Sequence, residues 1–444
     1  MEAILITAVW LIILLFSVRL LRPFRLPGLP WFSGLLLFSV KFICGILLTQ
    51  AYTTSYTDRS SADIYKFYDD SRVLYDALEE NPRDYIMLVT ALDGNRPYYD
   101  QYYVKMKHWS RKYDHDQGRM SDTRLMIRLN ALIMLLSAGV YQVHILFWCF
   151  FSLAGLSLLY RAFFPWFTDR PFWLASLVFL IPSVLCWGSG VLKEGFLLLL
   201  IGLLLYPLLR IFQGKFNFSY LIFIMAGVFG FALLKLYVLI AFLPAIVSLF
   251  FVKQLKFRHT ALLNLLVPAI MIFITLNLYR FFPEFDVMEK MAVQQQDMLR
   301  MAYYTGAGSV TDANPLAPTW TGFLRNLPEA LLNATLRPSL VDVKNSLQLF
   351  AAIENTLIAL VILLTVGLYQ PVNDPEKKAL LWFCLSFTFM LFALTGLTTP
   401  VLGTLVRYRM PGLPFLGIAL LLLIDTERLV KIVREIAWLD KDDD

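Results

Sequence analysis

Residues Gly190–Arg210 read GVLKEGFLLLLIGLLLYPLLR. Lys193 and Glu194 stand near one end and Arg210 at the other, with no charge between them. At about 1.5 Å per residue, such a run crosses the roughly 30 Å hydrocarbon layer of a bilayer. Only a helix satisfies its own backbone hydrogen bonds there without a partner strand. The stretch therefore predicts a transmembrane helix with both boundaries marked by charge.

Working outward, runs of the same kind recur. Spans are predicted near 3–21, 31–49, 142–163, 172–187, 190–210, 217–234, 236–252, 261–280, 348–369, 379–396 and 412–426. Of the 444 residues, 58% are hydrophobic and 16% charged, with mean hydropathy +0.62, which no soluble domain needs. A β-barrel would show alternating segments of roughly ten residues instead. The expected fold is all-α: a polytopic integral membrane helical bundle of about 11 spans. The first span opens on Glu2 with no basic region before it, so it reads as a retained helix. Cys44, Cys149, Cys186 and Cys384 all fall in apolar spans and read as small hydrophobes. The four histidines show no ligand spacing.

The expected organisation is two spans in 1–50, a large loop with amphipathic helices in 51–141, a central bundle in 142–280, a second loop in 281–347, C-terminal spans in 348–426 and a tail in 427–444. Net charge is +6 and the pI is near 9.0, which would suit nucleic acid. The basic residues instead cluster beside spans: Arg19, Arg22 and Arg25; Arg161 and Arg170; Arg210 and Lys215; Lys253, Lys256 and Arg258; Arg428, Lys431 and Arg434. With eleven spans all five clusters fall on one face, which the positive-inside rule makes cytoplasmic. No nucleic-acid partner is expected. The stretch Leu125–Ala138 would break this parity as a span, so it is laid on the outer membrane–water boundary. Both long loops then lie outside and the C-terminus inside.

Ser60–Leu78 reads SSADIYKFYDDSRVLYDAL, with apolar residues at helical spacing. Asp63 and Asp70 share one face of this helix, with Asp69 on a neighbouring face. Such carboxylates can take a proton from an attacking hydroxyl or hold a divalent ion. They can equally solvate a surface helix. The loop tyrosines and Trp109 fit either a sugar-binding cleft or an interfacial aromatic belt. Lys193 and Glu194 enter their span from the same outer side, where Lys193 can meet a lipid phosphate. Lys235 and Tyr237 lie on that side too. Arg407, Tyr408 and Arg409 also fall outside, against the charge rule. On a loop backbone both arginines could grip one pyrophosphate, as the guanidinium fork does well. Ordinary headgroup contact is the plain alternative.

The long acidic loop after an early span, Arg128-Leu129-Asn130-Ala131-Leu132, Pro182…Lys193-Glu194, Phe323…Pro328-Glu329-Ala330…Leu336-Arg337-Pro338…Glu354-Asn355 and Gly403-Thr404-Leu405-Val406-Arg407-Tyr408-Arg409 carry a resemblance. The chain resembles the GT-C membrane glycosyltransferases and bacterial O-antigen or exopolysaccharide polymerase-type proteins. That resemblance implies a GT-C-like bundle in the bacterial inner membrane, with periplasmic or extracellular loops. It implies a polyprenyl-(pyro)phosphate sugar donor, a glycan acceptor, and partners among lipids and polysaccharide assembly proteins. The base would be Asp63, Asp69 or Asp70, with a divalent metal ion as a candidate cofactor. Lys193, Glu194, Arg407, Tyr408 and Arg409 would bind substrate. A transporter or flippase of lipid-linked glycans, or a non-catalytic assembly scaffold, are the rival classes. The first would favour internal repeats, and none is evident.

Overall fold

The computed structural model describes residues 1–56, 58–92, 96–109, 121–255, 260–304, 306, 309–311 and 314–439. Lys256 and Arg258 of the predicted basic clusters, and tail residues 440–444, lie outside the described residues. Among those described, every extended element is helical. The only β pairings among the described residues are two isolated bridges, Val310 with Val401 and Tyr369 with Ile424. The chain divides into two compact units, Met1–Leu239 and Ile240–Asp444.

The first unit holds α1 (Glu2–Leu20), α2 (Ser33–Ser55), α3 (Asp63–Glu80), α4 (Pro82–Thr90), α5 (Asp100–Tyr103), α6 (Asp122–Ser137), α7 (Tyr141–Phe163), α8 (Pro171–Phe179), α9 (Pro182–Trp187), α10 (Lys193–Phe212) and α11 (Ser219–Leu234). After α12 (Leu236–Leu255), which straddles the division, the second unit continues with α13 (Thr260–Asn277), α14 (Val287–Tyr304), α15 (Trp320–Leu336), α16 (Ser346–Gly367), α17 (Pro375–Thr398), α18 (Leu402–Arg409), α19 (Leu413–Leu423) and α20 (Thr426–Leu439).

Eight helical segments among the described residues are long and apolar enough to cross a membrane: α1, α2, α7, α10, α13, α16, α17 and the joined α18–α19 run Leu402–Leu423. This is a multi-span helical membrane protein. The predicted spans at 217–234 and 236–252 are helical but shorter. The predicted span at 172–187 is not one helix. It breaks between Phe179 and Pro182, with Ile181 at ψ 124°. Pro182 lacks an N–H for the helical ladder and disfavours helix in the residue before it. Leu125–Ala138 falls mainly in α6, whose Arg124, Arg128 and Asn130 are buried against protein, and it is not among the eight.

In the first unit α7 is the central post, touching α1, α2, α6, α8 and α10. Its closest neighbour is α10. A Cβ on Gly155 would run into the Leu198 backbone, and one on Gly202 into the Gly155 backbone. In lipid, where apolar burial no longer drives helices together, such small-residue crossings let dispersion do so. Helices α3, α4 and α6 pack together as a layer against α7. Of the apolar positions read from Ser60–Leu78, Ile64, Phe67, Tyr68 and Leu74 are buried in α3, and Tyr75 and Leu78 are half-buried. A polar seam holds the layer down. His144 lies 2.8 Å from Asn130 Oδ1 and 3.0 Å from Ser137 Oγ, and Trp148 Nε1 donates to Asn130 Oδ1 at 3.2 Å.

In the second unit α17 packs on α13, α14, α15 and α19. Met288, Met291, Phe323, Ala330 and Leu397 form its apolar cluster. Phe242 stacks on Phe387 with ring centres 3.5 Å apart. Gln295 donates to Leu397 O at 3.1 Å and accepts from Leu316 N at 2.8 Å, tying α14 to the end of α17.

Candidate functional site

Lys193 is the first residue of α10, where the helix end itself is positive. Its Nζ donates to Asp122 Oδ2 at 2.6 Å and to Thr123 Oγ1 at 3.3 Å, at the start of α6. The same ammonium lies 5.2 Å from the centre of the Phe67 ring on α3. The first turns of α6 and α10 and the second turn of α3 therefore meet around one cation.

Helical spacing places Asp63, Lys66, Phe67 and Asp70 on one face of α3. Lys66 Nζ donates to Asp63 Oδ1 at 2.6 Å, and the pair is partly exposed. Asp70 is buried and accepts from the backbone N–H of Lys107 at 3.0 Å and of His108 at 2.7 Å. Burial raises its carboxyl above the usual range, opposed by those two amides. His108 is half-buried, and burial lowers its imidazole, opposed by Asp70. Asp69 points elsewhere. Arg59 grips both its oxygens, at 2.9 and 2.8 Å, and lies 3.7 Å from the centre of the Tyr65 ring. The geometry thus separates the three predicted carboxylates. Asp70 secures the 107–108 segment, Asp69 belongs to an arginine clamp, and Asp63 lies beside a lysine one turn from Phe67.

Glu194 is fully buried and receives Lys235 Nζ at 3.4 Å; Lys235 is only 7% exposed. Lys235 therefore does not extend to the headgroups, as snorkelling would have it. It neutralises a carboxylate that would be costly alone at membrane depth.

In the second unit Arg407, Tyr408 and Arg409 lie on α18, not on a loop. At about 100° per residue, side chains two apart leave a helix roughly 200° from each other. Arg407 and Arg409 accordingly differ: Arg409 is fully buried and Arg407 only partly so. The Arg409 guanidinium donates to Ala334 O at 2.6 Å, to Thr335 O at 3.1 Å and to Asn355 Oδ1, and stands 3.8 Å from Glu354. It closes the C-terminal carbonyls of α15 and joins α15, α16 and α18. Nearby Arg337 forms a two-point pair with Asp342, holding that carboxyl well below its usual range.

Most of the loop aromatics belong neither to a cleft nor to a belt. Tyr68, Tyr85, Tyr99, Tyr102, Tyr103 and Trp109 are buried as the core of the α3–α6 layer. Tyr103 stacks on Trp109 at 4.7 Å, and Arg124 and Arg128 lie 5.0 and 5.2 Å from that indole. Burial lowers Arg128 to about 10. Sequence reasoning passed over Lys41, one charge inside the second span. It is 1% exposed, and its Nζ has no hydrogen-bond partner among the described residues. A single ammonium inside Ser33–Ser55 was the available signal. Among the described residues no group of three or more His, Cys, Asp or Glu side chains is placed to hold a metal ion.

Comparison of the chain with protein-family models, curated proteins and solved structures returned no match. Fold and site together define a multi-span helical membrane protein with a folded helical layer at one set of helix ends.

Proposed function

We propose that the protein is a membrane glycosyltransferase or polymerase that takes a sugar from a polyprenyl-(pyro)phosphate donor at the membrane boundary. One observation carries this reading. The first residue of a membrane span, Lys193, meets the face of α3 that bears Asp63 and Asp70. A cation at a span's end suits the phosphate of a lipid whose chain stays in the bilayer. A carboxylate on the neighbouring helix suits the proton of an acceptor hydroxyl.

In the proposed step Asp63 takes the acceptor hydroxyl proton. The hydroxyl oxygen forms a bond to the anomeric carbon, and the bond from that carbon to the phosphate oxygen breaks. The electron pair leaves with the lipid phosphate, and Lys193 stabilises the charge that develops there. Asp122 holds Lys193 in place until the phosphate competes for it. Asp70 fixes the 106–109 segment, and Glu194 with Lys235 supplies a neutral floor. Arg409 is assigned to the frame that holds α18. A divalent metal, if recruited, would be held by Asp63 and would supply positive charge for the leaving phosphate. The loops that carry this chemistry would face the periplasm or cell exterior, as the basic clusters predict.

The test is purified protein in liposomes with a polyprenyl-diphosphate-linked glycan and an acceptor glycan, read by mass spectrometry for a new glycosidic bond. Bond formation lost in Asp63→Asn and weakened in Lys193→Met supports the proposal. Movement of the lipid-linked glycan across the bilayer without a new bond overturns it in favour of a transporter.

A further inference from the structure

The span that holds Lys41 crosses three thiols. Lys41, Cys44 and Gly45 sit within about one turn of α2. Opposite them, α9 and the residues after it come unusually close. A Cβ on Gly45 would stand 2.7 Å from the carbonyl oxygen of Ser189. Cys149 on α7 donates to that same carbonyl at 3.4 Å. Cys44 and Cys186 are near enough for their thiols to hydrogen-bond. Both are partly exposed, whereas Cys149 is buried. Lys41 is fully buried, and its titratable neighbours among the described residues are the thiols of Cys149, Cys44 and Cys186. No carboxylate acts on it among the described residues, and its Nζ has no hydrogen-bond partner there.

An uncompensated ammonium at membrane depth is costly. Glu194 and Lys235, in the same unit, show the ordinary remedy of an opposite charge. Among the described residues, the groups beside Lys41 able to become an opposite charge are thiols. A thiolate is also the reactive form of cysteine, and a nearby cation favours it. We propose that Cys44 and Cys186 form a reversible dithiol–disulfide pair joining α2 to α9, with Lys41 as its positioning cation. The co-reactant is a lipid-soluble quinone, a two-electron oxidant able to reach thiols at this depth. Lys41 stabilises the Cys44 thiolate, which attacks the quinone carbon. The Cys186 sulfur then displaces the quinol from Cys44, forming the S–S bond. Two protons pass from the thiols to the quinone oxygens, so two thiols and one quinone give one disulfide and one quinol. Cys149, buried and donating to a backbone carbonyl, takes no part.

The joined position matters for the chain that follows. Residues 188–192 lead directly from α9 into Lys193, so a staple at Cys186 would restrain the entry to α10. The thiol chemistry itself does not depend on the glycosyl-transfer reading.

The experiment uses full-length protein in nanodiscs, reduced and then treated with a short-chain benzoquinone carrying a decyl tail. Intact mass and peptide mapping follow, with a reductant reversal. The expected result is a loss of 2 Da, mapped to a Cys44–Cys186 linkage and reversed by dithiothreitol. Cys44→Ser and Cys186→Ser should each abolish the linkage, and Lys41→Met should slow it about tenfold or more while circular dichroism stays unchanged. No mass loss in the wild type, a stable quinone adduct without a disulfide, or a linkage involving Cys149 overturns the pair. An unchanged rate in folded Lys41→Met overturns the role given to Lys41. Wild-type mapping alone decides the pair if a variant fails to fold.

Discussion

The two units hold their charges in different ways. In the second, Arg409 is fully buried, and its donors end on α15 carbonyls and on Asn355, with Glu354 close by. In the first, Lys193 and Asp63 stand at helix ends on short, partly exposed salt bridges. Partly exposed pairs of this kind are worth about 0–1 kcal/mol, so a phosphate or hydroxyl can exchange into them. A buried cation with several protein acceptors cannot be lent out at that cost. Both arrangements came from charges that looked anomalous beside apolar sequence. The backbone they sit on separates them: α18 turns Arg409 inward, whereas Lys193 opens α10 and faces the α3–α6 layer.

That contrast breaks most easily at Asp63. Asp63→Asn keeps the shape and removes the proposed proton acceptor. Turnover in the liposome assay should fall about 10²–10⁴-fold, with thermal stability nearly unchanged because the lost pair is partly exposed. The matched change in the second unit, Arg409→Ala, should do the opposite kind of damage. It strips the α15 carbonyls, Asn355 and Glu354 of a shared partner, at a cost of about 3–5 kcal/mol, read as a lower unfolding midpoint in detergent. Arg409→Lys should recover little of it, because one ammonium cannot reproduce the fork. If Arg409→Lys is fully stable yet inactive, Arg409 acts on substrate and the contrast fails.

A smaller effect sharpens the comparison inside the first unit. Glu194, next to Lys193 in sequence, forms a buried pair with Lys235 that is enclosed like Arg409. Lys235→Met alone should destabilise by about 3 kcal/mol, since it takes the ammonium away from a buried carboxylate. Adding Glu194→Gln should recover most of that loss, giving a coupling of about 1–3 kcal/mol in a double-mutant cycle. Additive losses would show that the two residues do not depend on each other.

The legible part of this molecule is the part governed by averages. Long apolar runs predicted about 11 spans, of which eight are long and apolar enough to cross a membrane among the described residues, and helical spacing in Ser60–Leu78 marked the buried face of α3. Single residues were harder. Pro182 divides a predicted span into α8 and α9, because one missing N–H outweighs an apolar composition that still reads as continuous. Lys41 disappears into the mean of its window, since one charge among many apolar residues hardly moves it. The roles of Asp63, Asp69 and Asp70 depended on contacts with residues 59, 66, 107 and 108, and three of those partners lie on other elements. Arg407 and Arg409 looked like a clamp only while their backbone was taken as a loop. Had that segment been read as the last turn of a helix, the roughly 200° between them would have separated their roles at once.

The gentlest test concerns His108 and Asp70, which join the 106–109 segment to α3. Burial lowers His108 below its ordinary value of 6.5, so the fold favours the neutral ring. Its contribution is therefore complete above about pH 6.5 and is lost as pH falls through the lower folded value. Asp70 works in the other direction. Its raised carboxyl favours the fold most below 3.8, and that contribution is lost as pH rises through the folded value. Asp63 and Asp70 favour the imidazolium, and Lys66 and Lys107 oppose it. As pH falls below about 6.5 the His108 contribution weakens. Hydrogen exchange of the Lys107 and His108 amides, both held by Asp70, reads it directly. Their protection should weaken by less than about 1 kcal/mol over that fall in pH, screened as a half-exposed ring must be, and His108→Gln should flatten the change. If protection instead rises as pH falls, the carboxylate partners outweigh burial. The segment beside Asp63 would then tighten at low pH, and acid would be expected to strengthen the proposed site, not loosen it.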